Sequence, residues 1–261
     1  KNEKIEYVNK LKKINNEIIS DTNKNYLDRD LNKIKDFEKE IEKFEKIKLN
    51  TIQKIYFLND VCKKFGTLPF AGIARCAFIS TALLKNLNDK KIISDKDLSV
   101  FYSNINTITK DINNDLSKYF SKKINLKDFM KKYGHLRPSS YSISSKNYHQ
   151  GFDYYFSKKN LINRSGKKIK FFLRKKQKTE INNLFKKAHL NYDSKNFFNF
   201  ANKSIQQREY AKYVFMKGID KIFENLKLIA KEMKINSSDL EHISIKTILE
   251  SYNNLSIYKL K

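Results

Sequence analysis

Glycine and proline are nearly missing from this chain, with six Gly and two Pro in 261 residues. Sandwiches, turn-rich barrels and Gly-rich nucleotide-binding folds need positive-φ turns or close backbone approaches that this composition scarcely supplies. The architecture left is long helices. The chain therefore reads as all-α, with 40% hydrophobic and 13% aromatic residues providing a core and excluding a disordered polycation.

The formal charge is +26, from 54 Lys+Arg against 28 Asp+Glu. A nucleic-acid partner is the obvious reading, but only six of the basic residues are Arg, and the Lys residues are spread from end to end among many Asn and Ile. A genome with AT-rich codons fills solvated helix faces this way, whereas readers of nucleic acid use Arg for bidentate contacts. Charge alone gives only salt-sensitive, sequence-blind association. A basic helical nucleic-acid-binding module stays as the alternative from another class, with the composition against it. Cys62 and Cys76 form no C-x-x-C pair, so neither a disulfide framework nor a zinc site is expected, and a cytoplasmic location suits them. The stretch 65–84 is poor in charge but contains Arg75. Its charge-free part, 76–84, is far shorter than the ~18 residues of a span, so no membrane helix is expected. The N-terminus has neither Met nor an apolar leader, and the chain reads as cut from something longer.

Apolar spacings of three and four predict a helical N-terminal arm over 1–64, made of two helices broken near 20–25, the second long. The main domain, 65–261, opens at Phe65-Gly66-Thr67-Leu68-Pro69-Phe70-Ala71-Gly72, where Gly and Pro cluster. That run is expected to be a loop entering a buried helix over 73–87. Arg75 is the only charge in that apolar helix, and a buried guanidinium needs an anion opposite it. A helix is predicted to start at Ser94-Asp95-Lys96-Asp97 and carry its period to Phe120, followed by a short one over 126–132. Residues 133–145 hold Gly, Pro and five Ser, with a His, an Arg and two Tyr. This is a loop with the inventory of a polar site, the first part of an irregular region near 133–170. The run 167–174 suits a strand or a helix onset equally. Helices resume over 179–187 and 193–233, and a last short one begins at Ser237-Ser238. The four His residues lie too far apart for a local metal motif, and H-E-x-x-H, G-x-S-x-G and the P-loop are missing; no metal site is expected.

Three segments carry a resemblance. Tyr133-Gly134-His135-Leu136-Arg137-Pro138-Ser139-Ser140-Tyr141-Ser142-Ile143 resembles the Y-G-H-L-R-P-G-T-Y-D-I segment of proteins similar to phosphoenolpyruvate synthase. Phe70 to Ile79 resembles their F-A-x-[IL]-A-R-x-A-F-I helix, and Arg208-Glu209-Tyr210-Ala211-Lys212-Tyr213-Val214-Phe215 their R-E-x-A-K-[FY]-x-F helix. The three occur in order over roughly residues 60 to 250. Ser139, Ser140 and Ser142 depart from the Gly, Thr and Asp of the pattern. The resemblance implies the central, helical substrate-binding domain of a three-part phosphotransferase. The partners it implies, an ATP-grasp domain using ATP and Mg2+ and a swivelling phosphohistidine domain, are not in this sequence. No cofactor is implied for the domain itself. Within the family the segments look most similar to bacterial L-glutamine kinases, which phosphorylate the side-chain amide nitrogen of L-glutamine for capsular polysaccharide phosphoramidates. An antibiotic phosphotransferase of the rifampin type is the alternative inside the family.

That chemistry suggests roles. A transferring phosphoryl group and an amino-acid carboxylate both want cations, and an ammonium wants a carboxylate. Arg75, Arg137, Arg208 and Lys212 are the candidate cations. Glu209 is the candidate partner for ammonium or amide, Ser140 and Tyr141 are candidate substrate contacts, and His135 is the candidate catalytic group. Structural alternatives stand beside each: an internal ion pair for Arg75, a loop hydrogen bond for His135, a turn role for Ser140 and Tyr141, and pairing with Glu209 for Lys212.

Overall fold

The computed structural model describes residues 2–20, 26–157, 169–236 and 239–254. It is 78% helical, with no strand among the described residues, which is the all-α class expected. Eleven α-helices are described: α1 (Asn2–Ser20), α2 (Tyr26–Glu45), α3 (Thr51–Val61), α4 (Leu68–Asp89), α5 (Asp95–Asn104), α6 (Ile108–Phe120), α7 (Leu126–Tyr133), α8 (Tyr148–Tyr155), α9 (Lys175–Lys187), α10 (Ser194–Met233) and α11 (Ile245–Asn254). A π-helical turn, Cys62–Thr67, joins α3 to α4, and a 3-10 turn, Asp239–His242, precedes α11.

Where the helices stop is decided by short capping signals. Ser94 caps α5 by accepting from the Asp97 N–H, and the Asp97 carboxylate accepts from the Ser94 N–H, as the sequence led us to expect. The same reciprocal device at Asn50 and Gln53 starts α3, and at Asn147 and Gln150 it starts α8. Both were passed over in the sequence reading, so the long second helix of the arm is α2 plus α3, and part of the irregular region is α8. The predicted helix from Ser94 to Phe120 is also two helices, because Ile105 turns extended and closes α5.

The expected loop at 65–72 is helical. Pro69 follows closely on the π-helical turn Cys62–Thr67, inside a continuous helical run. Its glycines serve close packing instead: a Cβ on Gly66 would lie 2.7 Å from the Phe215 ring, and one on Gly72 would collide with the Asp30 carboxylate. The continuous helical run Thr51–Asp89 is long and apolar enough, by length and composition, to cross a membrane. This corrects the expectation from charge-free length alone, since one arginine does not disqualify such a run. Residues 169–174 are neither strand nor helix, and the start expected at Ser237-Ser238 lies outside the described residues.

Contacts divide the chain into two compact units, and the division falls inside α2, α4 and α10 rather than at residue 64. The first unit takes Lys1–Asn32, Pro69–Thr107 and Arg164–Ala211. Its core includes Ile73, Ala77 and Leu84 of α4, Ile181 and Phe185 of α9, and Phe197 and Ala201 of α10. The buried Ser80 hydroxyl meets Ser204 at 2.8 Å, and Asn16 ties α1 to the turn after α9 by bonding the His189 carbonyl and the Asn191 N–H. The second unit takes Lys33–Leu68, Ile108–Asn163 and Lys212–Lys261. There Phe37 and Ile41 of α2 pack where Gly218 leaves room, and Phe129 is ringed by Tyr133, Phe152 and Phe156. The buried Asp115 carboxylate accepts from Lys118, Lys132 and the Tyr133 hydroxyl, so no lone charge is left in that core.

Candidate functional site

The candidate residues fall in two places. In the first unit, α4 brings Arg75 and α10 brings Arg208 and Glu209. Arg75 is not buried: α4 turns Ile73, Ala74, Cys76 and Ala77 inward and presents Arg75 and Phe78 outward. The internal ion pair anticipated for it is thus replaced by an exposed guanidinium with no protein partner among the described residues. Phe78 lies one turn along the same face and is 60% exposed, although the helix is apolar enough to bury it. Arg208 covers that ring, its guanidinium carbon 5.4 Å from the centroid, and reaches the Glu209 carboxylate at 3.3 Å. The Arg208 Nε is buried without an acceptor. Arg75, Phe78, Arg208 and Glu209 therefore form a small platform of two guanidinium groups, one carboxylate and an aromatic face. Phe78 was not among the residues singled out from the sequence. Nothing in its spacing marks it, because only the packing of α4 decides which apolar side chain is left outside.

In the second unit, His135, Arg137, Ser140 and Tyr141 lie on the loop between α7 and α8. The Arg137 side chain is fully buried. It pairs with Asp220 of α10, donates to the carbonyls of Ser145 (3.1 Å) and Ser142 (3.4 Å), and stacks over Phe223 at 4.9 Å. Asn147 donates to the same Asp220 oxygen at 3.0 Å. Burial raises the Asp220 carboxyl above its ordinary value, while Asn147 and Arg137 pull it back. Arg137 thus staples the loop to α10, and its charge is already committed within the protein. Its Nε, also buried, has no acceptor.

His135 is partly buried. Its Nε2 lies 3.1 Å from the Tyr213 carbonyl and so carries the proton, with the imidazole edge-on to the Tyr213 ring. Burial lowers its pKa to about 4, the Tyr213 carbonyl working against this and Lys217, Lys221 and Arg137 adding to it. A neutral imidazole held in this way orients the loop and leaves Nδ1 as an acceptor. Ser140 is half-buried and Tyr141 is 61% exposed at the loop tip. Ser142 donates to Glu241 at 3.0 Å. Lys212, half-buried, opens this unit's share of α10. Both cysteines are buried, and burial pushes the Cys62 thiol up to about 12, which keeps it unreactive. Among the described residues no cluster of His, Cys, Asp and Glu could hold a metal ion.

Comparison of the chain with protein-family models, with curated proteins and with solved structures finds no match.

Proposed function

We propose that this chain binds a small zwitterionic metabolite, L-glutamine first among the candidates, as the substrate-binding part of an ATP-dependent phosphotransferase acting in the cytoplasm. The three ordered motifs support the family. The observation that carries the reading is the platform on α4 and α10, where two motif arginines and a motif glutamate share one surface around Phe78. Arg75, without a protein partner among the described residues, offers its fork to an α-carboxylate, Glu209 an acceptor to an ammonium, and Phe78 a face for the side-chain methylenes. In the reaction the N–P bond of a phosphohistidine on a separate domain breaks and a new N–P bond forms on the amide nitrogen, whose displaced proton ends on the released imidazole. ATP and Mg2+ recharge that histidine elsewhere. In this chain His135 and Arg137 set the shape of the loop, and Ser140 and Tyr141 are its outward-facing groups.

Calorimetry with L-glutamine, L-glutamate and L-asparagine tests the reading. Charge-assisted hydrogen bonds contribute about 1.5–3 kcal/mol, so Arg75→Ala and Arg208→Ala should each weaken glutamine binding roughly ten- to hundredfold. No heat with glutamine, or full affinity in both variants, would sink it.

A further inference from the structure

A second concave site lies in the first unit, on the opposite side of α10 from Arg208. Asn199, Asn202 and Gln206, spaced three and four apart, line one face of the helix, and Asn104 faces them from the end of α5. Together with Lys170 and Phe171 they line an open cleft of about 440 Å3, within the size range of small-ligand sites. Its apolar wall is Phe171, half-buried, which stacks on Phe198 at 5.2 Å and 26° and meets the edge of Phe101 at 5.1 Å.

Beside Lys170 and Lys203, the polar side chains lining the cleft are the neutral carboxamides of Asn104, Asn199, Asn202 and Gln206. The side-chain amides of Asn199, Asn202 and Gln206 have no protein partner among the described residues. Asn104 spends its amide hydrogens on the carbonyls of Val100 and Ile169 and keeps its oxygen. Lys203 is paired with Asp28 at 2.6 Å, and Lys170 lines the cleft with no ion pair among the described residues. Carboxamides offer both a donor and an acceptor at fixed spacing, which suits vicinal hydroxyls. An aromatic wall suits the C–H face of a pyranose. A planar base would want a slot between two rings, and Phe171 and Phe198 already stack on each other.

From this juxtaposition of an amide stripe and a phenylalanine wall, we infer that the chain carries a binding site for a neutral sugar. The site is independent of the glutamine platform and stands or falls separately from it.

The test uses the full chain, with D-glucose, D-galactose and N-acetyl-D-glucosamine as probes and inorganic phosphate as the anionic control. Saturation-transfer NMR should show ring C–H protons of at least one hexose in contact with the protein, and that hexose should shift the side-chain amide signals of Asn199, Asn202 and Gln206. Asn202→Ala and Gln206→Ala, on the helix surface, should each weaken binding about tenfold without altering the helical circular dichroism. Phe171→Ala should abolish the saturation transfer. The inference is overturned if none of the three sugars shifts these amides. It is also overturned if binding survives the Asn202→Ala and Gln206→Ala pair, or if phosphate shifts the same amides and the sugars do not.

Discussion

Asp220→Ala probes the staple that shapes the loop from 134 to 147. Among the described residues the substitution removes the only carboxylate paired with Arg137, whose side chain has no exposed surface and whose Nε already lacks an acceptor. Two carbonyl contacts, from Ser145 at 3.1 Å and Ser142 at 3.4 Å, would remain, together with the Phe223 ring. None of these supplies a counter-charge. Asn147 would lose its acceptor in the same step. Breaking one partner of a buried ion pair costs about 3–5 kcal/mol, so the loss should fall in that range, a Tm drop of roughly 6–20 °C for a chain of this size. The chain has no Trp, so urea unfolding followed by far-UV circular dichroism is the suitable assay. Replacing both members, as in Arg137→Met with Asp220→Leu, should recover most of the loss, because no charge is then stranded. A loss below about 1 kcal/mol for Asp220→Ala would show that the guanidinium reaches solvent or another anion, and would refute the staple.

Two further outcomes follow from the second unit. His135 is lowered to about 4 in the fold, whereas the unfolded chain should titrate near the ordinary value of about 6.5. The unfolded state therefore binds the extra proton first. The stability His135 contributes is present above about pH 6.5 and is lost as pH falls toward 4, worth about 1–3 kcal/mol once partial exposure is allowed for. Urea midpoints near pH 7 and about pH 5 should differ less in His135→Gln than in the parent, and an NMR titration giving an ordinary imidazole pKa would contradict this. Gly218→Ala should cost about 1–3 kcal/mol by overpacking, because its Cβ would lie 2.7 Å from Phe37 Cζ and 2.8 Å from Cys62 Sγ. Unchanged thermal stability would mean that α2 and α10 yield at that contact.

Much of the fold was legible because helical periodicity survives in sequence. The ends of α7 and α10 were read to within a residue or so, and Ser94 was found as a cap from its spacing to Asp97. The misses have two causes. Asn50 and Asn147 carry the same local signal with Gln three residues on, but Asn is so abundant here that a cap does not stand out. The Gly and Pro near residue 66 looked like a turn because composition does not distinguish glycine used for φ freedom from glycine used for close approach. The candidate site was legible only as a set of residue types. Burial then gave them different situations: Arg137 is enclosed and paired, while Arg75, expected to be enclosed, stands in solvent.

By itself, the sequence determined the class of fold and the positions of most helices, since scarce Gly and Pro and a period near 3.6 leave few other ways to bury apolar side chains. Tertiary structure alone decided which cations are available. An arginine's freedom depends on what faces it across helices far apart in the chain, here Asp220 opposite Arg137 and an open face beside Arg75. No spacing along the sequence encodes that distance in space.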